Sequence, residues 1–180
     1  MANSGEIIAK RANPWRIAGW SLVGLLLLLP AAAMQLSSEV NWTASDFVFA
    51  AVLMGSVGGA FELAVRMNRN RAYRGGVGAA LAAAFMIVWA TGAVGMIGDE
   101  GDAYNLFFLA VILVALAGAV IARFRAEGMA FAMLVAAAAH IAVSLAGIAM
   151  DPRGAVFSTA FAGLWLLSAA LFRKAAKAGA

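Results

Sequence analysis

Apolar residues fill six runs along the chain, Trp15–Met34, Phe47–Val65, Val77–Ile97, Ala103–Ile121, Met129–Met150 and Val156–Phe172, and polar residues collect in the short segments between them. At about 1.5 Å per helical residue, each run spans most or all of a bilayer hydrocarbon core about 30 Å thick. The pattern predicts an all-α, polytopic transmembrane bundle of six helices in one domain, with a polar lead-in over 1–14 and a polar tail over 173–180. Pro30 falls near the far end of the first run, where a lost backbone hydrogen bond costs least. That run also resembles a signal peptide, with a basic start, a Leu-rich centre and Ala31-Ala32-Ala33 before Met34. A retained first helix is preferred, because further spans follow and the run is long for a cleaved signal.

Composition agrees. Hydrophobic residues make up 64% of the 180 positions and charged residues 12%, against about 25% charged in a soluble domain, and mean hydropathy is +0.91. The net charge of +4 does not mark a nucleic-acid partner, because the cations sit in loops between apolar runs; the lipid bilayer is the partner they fit. Every cation except Arg153 falls on the side of the N-terminus if six helices alternate, whereas Glu39, Asp46, Asp99, Glu100, Asp102 and Asp151 fall on the other. The positive-inside rule then predicts both termini in the cytoplasm, and the richness in Ala, Gly and Arg hints at a bacterial genome, which makes the inner membrane the expected location. Cysteine is absent, which excludes thiol chemistry. An internal repeat is visible: Phe49, Gly59 and Arg66 recur as Phe108, Gly118 and Arg125, and Gly95 and Asp99 as Gly147 and Asp151. It would relate helices 2–3 to helices 4–5 as parallel hairpins, a device of transporters.

Few residues inside the runs can carry chemistry. His140, the only histidine, is placed near the middle of the fifth run; it either bonds a neighbouring helix, with Ser56, Thr91 or a free carbonyl as partners, or handles a proton. Glu62 precedes Arg66 by one turn in the favourable acid-first order, so it forms a headgroup-level pair or belongs to a proton path with His140. Asp99, Glu100 and Asp102 form an acidic outer loop that could attract a hard divalent cation, but their spacing matches no calcium loop, and no metal site or cofactor is expected. Gly55 and Gly59 make a G-x-x-x-G pair, and Gly92, Gly95 and Gly98 follow Trp89 at three-residue steps; both sets read as helix-packing surfaces. Trp89 and His140 come at similar depth, which suggests a shared pocket between helices three and five. P-loop, nucleophile-elbow and zinc-protease motifs are absent, and no lysine lies within a run, so an enzyme is not expected.

The run Trp89-x-x-x-Ala93-Val94-Gly95-Met96-Ile97-Gly98-x-Glu100, with Asn105-Leu106, Gly118-Ala119 and Gly128-Met129-Ala130 beyond it, resembles a motif of an uncharacterised family of small multi-pass bacterial membrane proteins. The resemblance implies a six-helix-type membrane protein and no activity. It also implies a Gln in place of His140, which counts against a special role for the imidazole. Two functions fit the sequence. One is a small-solute or ion transporter or channel, working as a homo-oligomer. The other is a non-transporting subunit or scaffold that packs against the helices of other membrane proteins. A wet cavity reaching His140 would favour the first, and a dry bundle the second.

Overall fold

The computed structural model describes residues 14–179; most of the lead-in lies outside them. Among the described residues the fold is all-helical: α1 (Pro14–Leu36), α2 (Ala44–Met67), α3 (Arg71–Ala93), a 3-10 turn (Ala103–Asn105), α4 (Leu106–Ile121), α5 (Ala126–Ala146) and α6 (Pro152–Lys177). All six predicted runs become helices long and apolar enough to cross a membrane. The chain divides into two compact units, with the boundary inside α2 after Gly59.

The helix ends differ from the apolar runs, and capping explains the difference. Helix α3 begins at Arg71 rather than Val77, because Asn70 caps it: its Oδ1 accepts from the amides of Ala72 and Tyr73. Charged first-turn residues broke the apolar pattern without breaking the helix. Helix α6 begins at Pro152 rather than Val156, because Asp151 accepts from the amides of Arg153 and Gly154 and Pro152 supplies a fixed φ at the first turn. It continues to Lys177, so part of the expected tail is helical. Helix α3 ends at Ala93 rather than Ile97, and α5 at Ala146 rather than Met150.

In the first unit, α1 leaves Leu22, Leu25, Leu28 and Leu29 exposed, as suits a helix surrounded by hydrocarbon or by other helices. Trp20 lies against Gly58 there, 3.3 Å from where a Cβ would stand. In the second unit, α3 packs on α6, α6 on α5 and α5 on α4, and α4 closes the ring more loosely against α3. Helices α3 and α5 are therefore diagonal. The interface of α6 repeats at alternating steps of three and four: Ala155, Ser158, Ala162, Trp165, Ala169 and Phe172 are all buried, the seam of a left-handed bundle. Close approach is set by small residues. At Gly76 a Cβ would stand 3.1 Å from the Phe172 ring, and at Gly118 it would stand 2.7 Å from the Ala132 Cβ. The positions matched by the internal repeat differ in local structure beyond α3 and α5. Gly95 takes φ +78° and Gly147 −82°, and Asp151 caps a helix whereas the Asp99 carboxylate is exposed.

Candidate functional site

His140 sits in the interior of the second unit, with no exposed surface. Its Nε2 lies 2.9 Å from the carbonyl of Ser158 on α6. A carbonyl only accepts, so Nε2 carries the proton and Nδ1 is bare. Nδ1 has no partner among the described residues. The Phe108 ring of α4 lies against the imidazole, with centroids 5.3 Å apart. Ser158 Oγ lies 2.9 Å from Ser144 Oγ and donates to the carbonyl of Ala155. All three side chains, His140, Ser144 and Ser158, are fully buried. A further buried hydroxyl, Ser168, donates to the carbonyl of Gly76 at 2.7 Å and ties α6 to α3. Polar links thus run from α6 to both neighbours, in a bundle where apolar burial alone discriminates poorly between protein and lipid.

The expected pocket between helices three and five is not formed, because α4 and α6 stand between them. Trp89 is half-buried and stacks on Phe85, with centroids 5.8 Å apart. Thr91 is half-buried, and its Oγ1 has no partner among the described residues. Ser56 lies in the other unit and is exposed. Glu62 pairs with Arg66, one turn on.

The glycine stripe is corrected. Gly92 is exposed with open space around it, and Gly95 and Gly98 lie beyond α3 in turns with φ +78° and +67°. Gly95 follows the helix end at Ala90–Val94, where its amide bonds the carbonyl of Ala90; a Cβ there would also stand 2.6 Å from the backbone of Asp99. These two glycines therefore build a loop, not a helix face. Within their unit, Gly55 and Gly59 likewise meet nothing within 4 Å, and Gly58 is the residue that receives Trp20.

The loop from Val94 to Asn105 closes the acidic end of the bundle. Met96 and Ile97 are buried. The buried side chain of Asn105 holds them: Oδ1 accepts from the Met96 amide at 2.8 Å and from the Ile97 amide at 3.1 Å, while Nδ2 donates to the carbonyl of Asp99 at 2.8 Å. Ile97 and Tyr104 press on Gly147 at the end of α5, and the Tyr104 hydroxyl donates to the carbonyl of Val143 at 2.7 Å. The Gly98 amide donates to Asp151. Hydrogen bonds from Gly154 and then Gly98 hold the Asp151 carboxyl below the usual carboxylate range; burial opposes them, and a hydrogen bond from Arg153 and its charge add lesser support. Asp99 and Glu100 are exposed, and Asp102 caps the 3-10 turn by accepting from the Tyr104 amide. Among the described residues no three His, Cys, Asp or Glu side chains converge as a metal site would require.

Sequence reasoning missed Asn105, Ser144, Ser158 and Tyr104 as organising residues. Asn105 was visible within the motif, but its long reach back to residue 96 was not. Tyr73 was missed as well; its hydroxyl donates to the carbonyl of Phe124 at 2.8 Å.

No family model matches the chain, and no curated protein or solved structure matches it either. Among the described residues, six helices of sufficient length and apolarity make the chain a multi-pass integral membrane protein.

Proposed function

We propose that the chain is a non-transporting membrane subunit or scaffold, whose bundle α3–α6 is a rigid, dry body and whose remaining helices serve partner helices. One observation carries the reading: His140 has no exposed surface and is committed to Ser158, next to a buried serine pair. A residue on a permeation path is expected to face water, whereas His140 is enclosed, with Nε2 on the Ser158 backbone carbonyl and the Ser144–Ser158 hydroxyl pair beside it. The acidic loop supports the same reading, because Met96 and Ile97 fill the end that a transporter would hold open. The Leu-rich surface of α1 and the open Gly55 and Gly59 positions of α2 offer a partner helix a large and a small face.

The test is reconstitution into liposomes with a proton-sensitive dye inside and an imposed potential. The expected flux equals that of protein-free liposomes, for wild type and for His140→Gln alike. A flux above background that falls in His140→Gln or Glu62→Gln would overturn the reading and restore a transporter.

A further inference from the structure

We propose that the second unit binds an anionic phospholipid, with an acyl chain in the cleft between α3 and α4 and the phosphate at the arginine-rich rim. The loose closure of α4 against α3 leaves a cavity of about 350 Å³, within the range of ligand pockets. Its walls are almost wholly apolar, with Val77, Ala80 and Ala84 of α3, Ile112 and Ala115 of α4, the end of α2 from Ala60 to Met67, and Trp165 of α6 among the lining residues. From Tyr73 to Ala84 the cleft follows α3 for about 16 Å at 1.5 Å per residue, roughly half of a 30 Å core. That depth is one leaflet, and it fits a chain from a lipid of the leaflet on the arginine side.

The rim selects the headgroup. Met67, Tyr73 and Phe124 line the cleft where the helices end. The same segments carry Arg69, Arg71, Arg123 and Arg125, all exposed and without an ion pair among the described residues. Two nearby arginines are already used: Arg66 pairs with Glu62, and Arg74 donates to the carbonyls of Val65 and Asn68. The unused cations thus stand where a lipid phosphate would lie, and each exposed cation near a membrane surface contributes about fivefold to anionic-lipid affinity. Arg123 and Phe124 take φ 50° and 57° in the left-handed turn that ends α4, where the Phe124 amide bonds the carbonyl of Ala119 and the Tyr73 hydroxyl donates to the carbonyl of Phe124. Phe124 lines the cleft, and the exposed Arg123 is its neighbour in the chain.

Trp165 lines the cleft and serves as its reporter. The protein is placed in nanodiscs containing phosphatidylglycerol or phosphatidylcholine with brominated acyl chains at equal mole fraction, and the quenching lost on Trp165→Phe is measured. The expected result is stronger quenching by the phosphatidylglycerol. Arg123→Asn keeps a residue tolerant of positive φ while removing the charge, and combined with Arg71→Gln it should lower the preference about fivefold for each arginine. Ala80→Phe, which fills the cleft, should abolish quenching by both lipids. Equal quenching by the two lipids in the wild type would overturn the headgroup assignment, and undiminished quenching in Ala80→Phe would overturn the cleft. Native mass spectrometry gives a check that needs no tryptophan variant: wild type should retain one phosphatidylglycerol and Arg123→Asn/Arg71→Gln should not, and retention by both would refute the site. Neither outcome bears on whether the protein conducts ions.

Discussion

Asn105→Ala should loosen the acidic end of the bundle while leaving the helices intact. The substitution removes the acceptor for the Met96 and Ile97 amides and the donor to Asp99. The Asp99 carbonyl belongs to an exposed residue, so water can replace that bond at little cost. The two amides belong to residues that are 1% and 0% exposed. A buried donor left without a partner costs about 1–3 kcal/mol, so the pair costs about 2–6 kcal/mol. Alanine leaves space that water can enter, which favours the lower part of this range, about 2–3 kcal/mol.

Hydrogen exchange in detergent or nanodiscs reads this directly. At about 1.4 kcal/mol per tenfold, the amides of Met96 and Ile97 should exchange roughly 30- to 140-fold faster in the variant. Amides in the middle of α5 and α6 should change little, because a local opening does not require the bundle to unfold. The reasoning fails if Asn105→Ala exchanges within twofold of wild type at both amides.

Two further predictions concern the same end of the molecule. Gly95→Ala should lower stability by about 2 kcal/mol or more, since it adds a left-handed φ penalty to a Cβ 2.6 Å from the backbone of Asp99, whereas Gly92→Ala meets open space and should be neutral or slightly stabilising; equal melting shifts for the two would restore a continuous glycine stripe. The Asp151 carboxyl is held below its ordinary range, so its contribution is fully present above the ordinary value of about pH 4 and is lost as pH falls through the lower folded value. Asp151→Asn, which accepts but does not titrate, should flatten the melting temperature against pH below about 4, and an unchanged acid slope would refute the assignment.

The six spans were legible because hydropathy reports what can lie in lipid, and length reports what can cross it. Their ends were less legible. Arg71 and Arg74 interrupt the apolar run, yet both lie within α3, because a helix may extend past the hydrocarbon into the headgroup region where arginine is solvated. Asn70 and the Asp151-Pro152 pair were the readable signals, since each is a standard helix start. The error over Gly92, Gly95 and Gly98 has a related cause. Three-residue spacing fits a helix face, but α3 stops at Ala93, and glycine just beyond a helix end often serves the left-handed turn that terminates it. Gly95 does so, and apolar Met96 and Ile97 are buried by the returning loop rather than by lipid. Glu62 and Arg66 were legible as a pair because their partnership is local in sequence.

The inward faces were not legible from hydropathy for a reason particular to bilayers. Both the bundle interior and the surrounding lipid are apolar, so an apolar stripe does not point inward. Size carries the information instead. On α6 the buried positions include Ala155, Ser158, Ala162, Ser168 and Ala169, while Val156, Phe157, Leu166 and Leu167 are exposed. On α5 the buried set includes Ala130, Ala132, Ala136, Ala137 and Ser144 beside the larger Met129, Met133 and His140, while Phe131 is exposed. Small residues face protein and large ones face outward, because close approach gains dispersion and lets hydroxyls reach carbonyls. Trp165 and Phe172 break this rule on α6, and Gly76 explains the second by making room for the Phe172 ring. Trp165 is different: it is buried beside the α3–α4 cleft, and no glycine is matched to it. A large ring on a small-residue interface holds helices apart. Met129 and Met133 of α5 line the cleft with it, so the large side chains of these small-residue interfaces gather where the cleft lies.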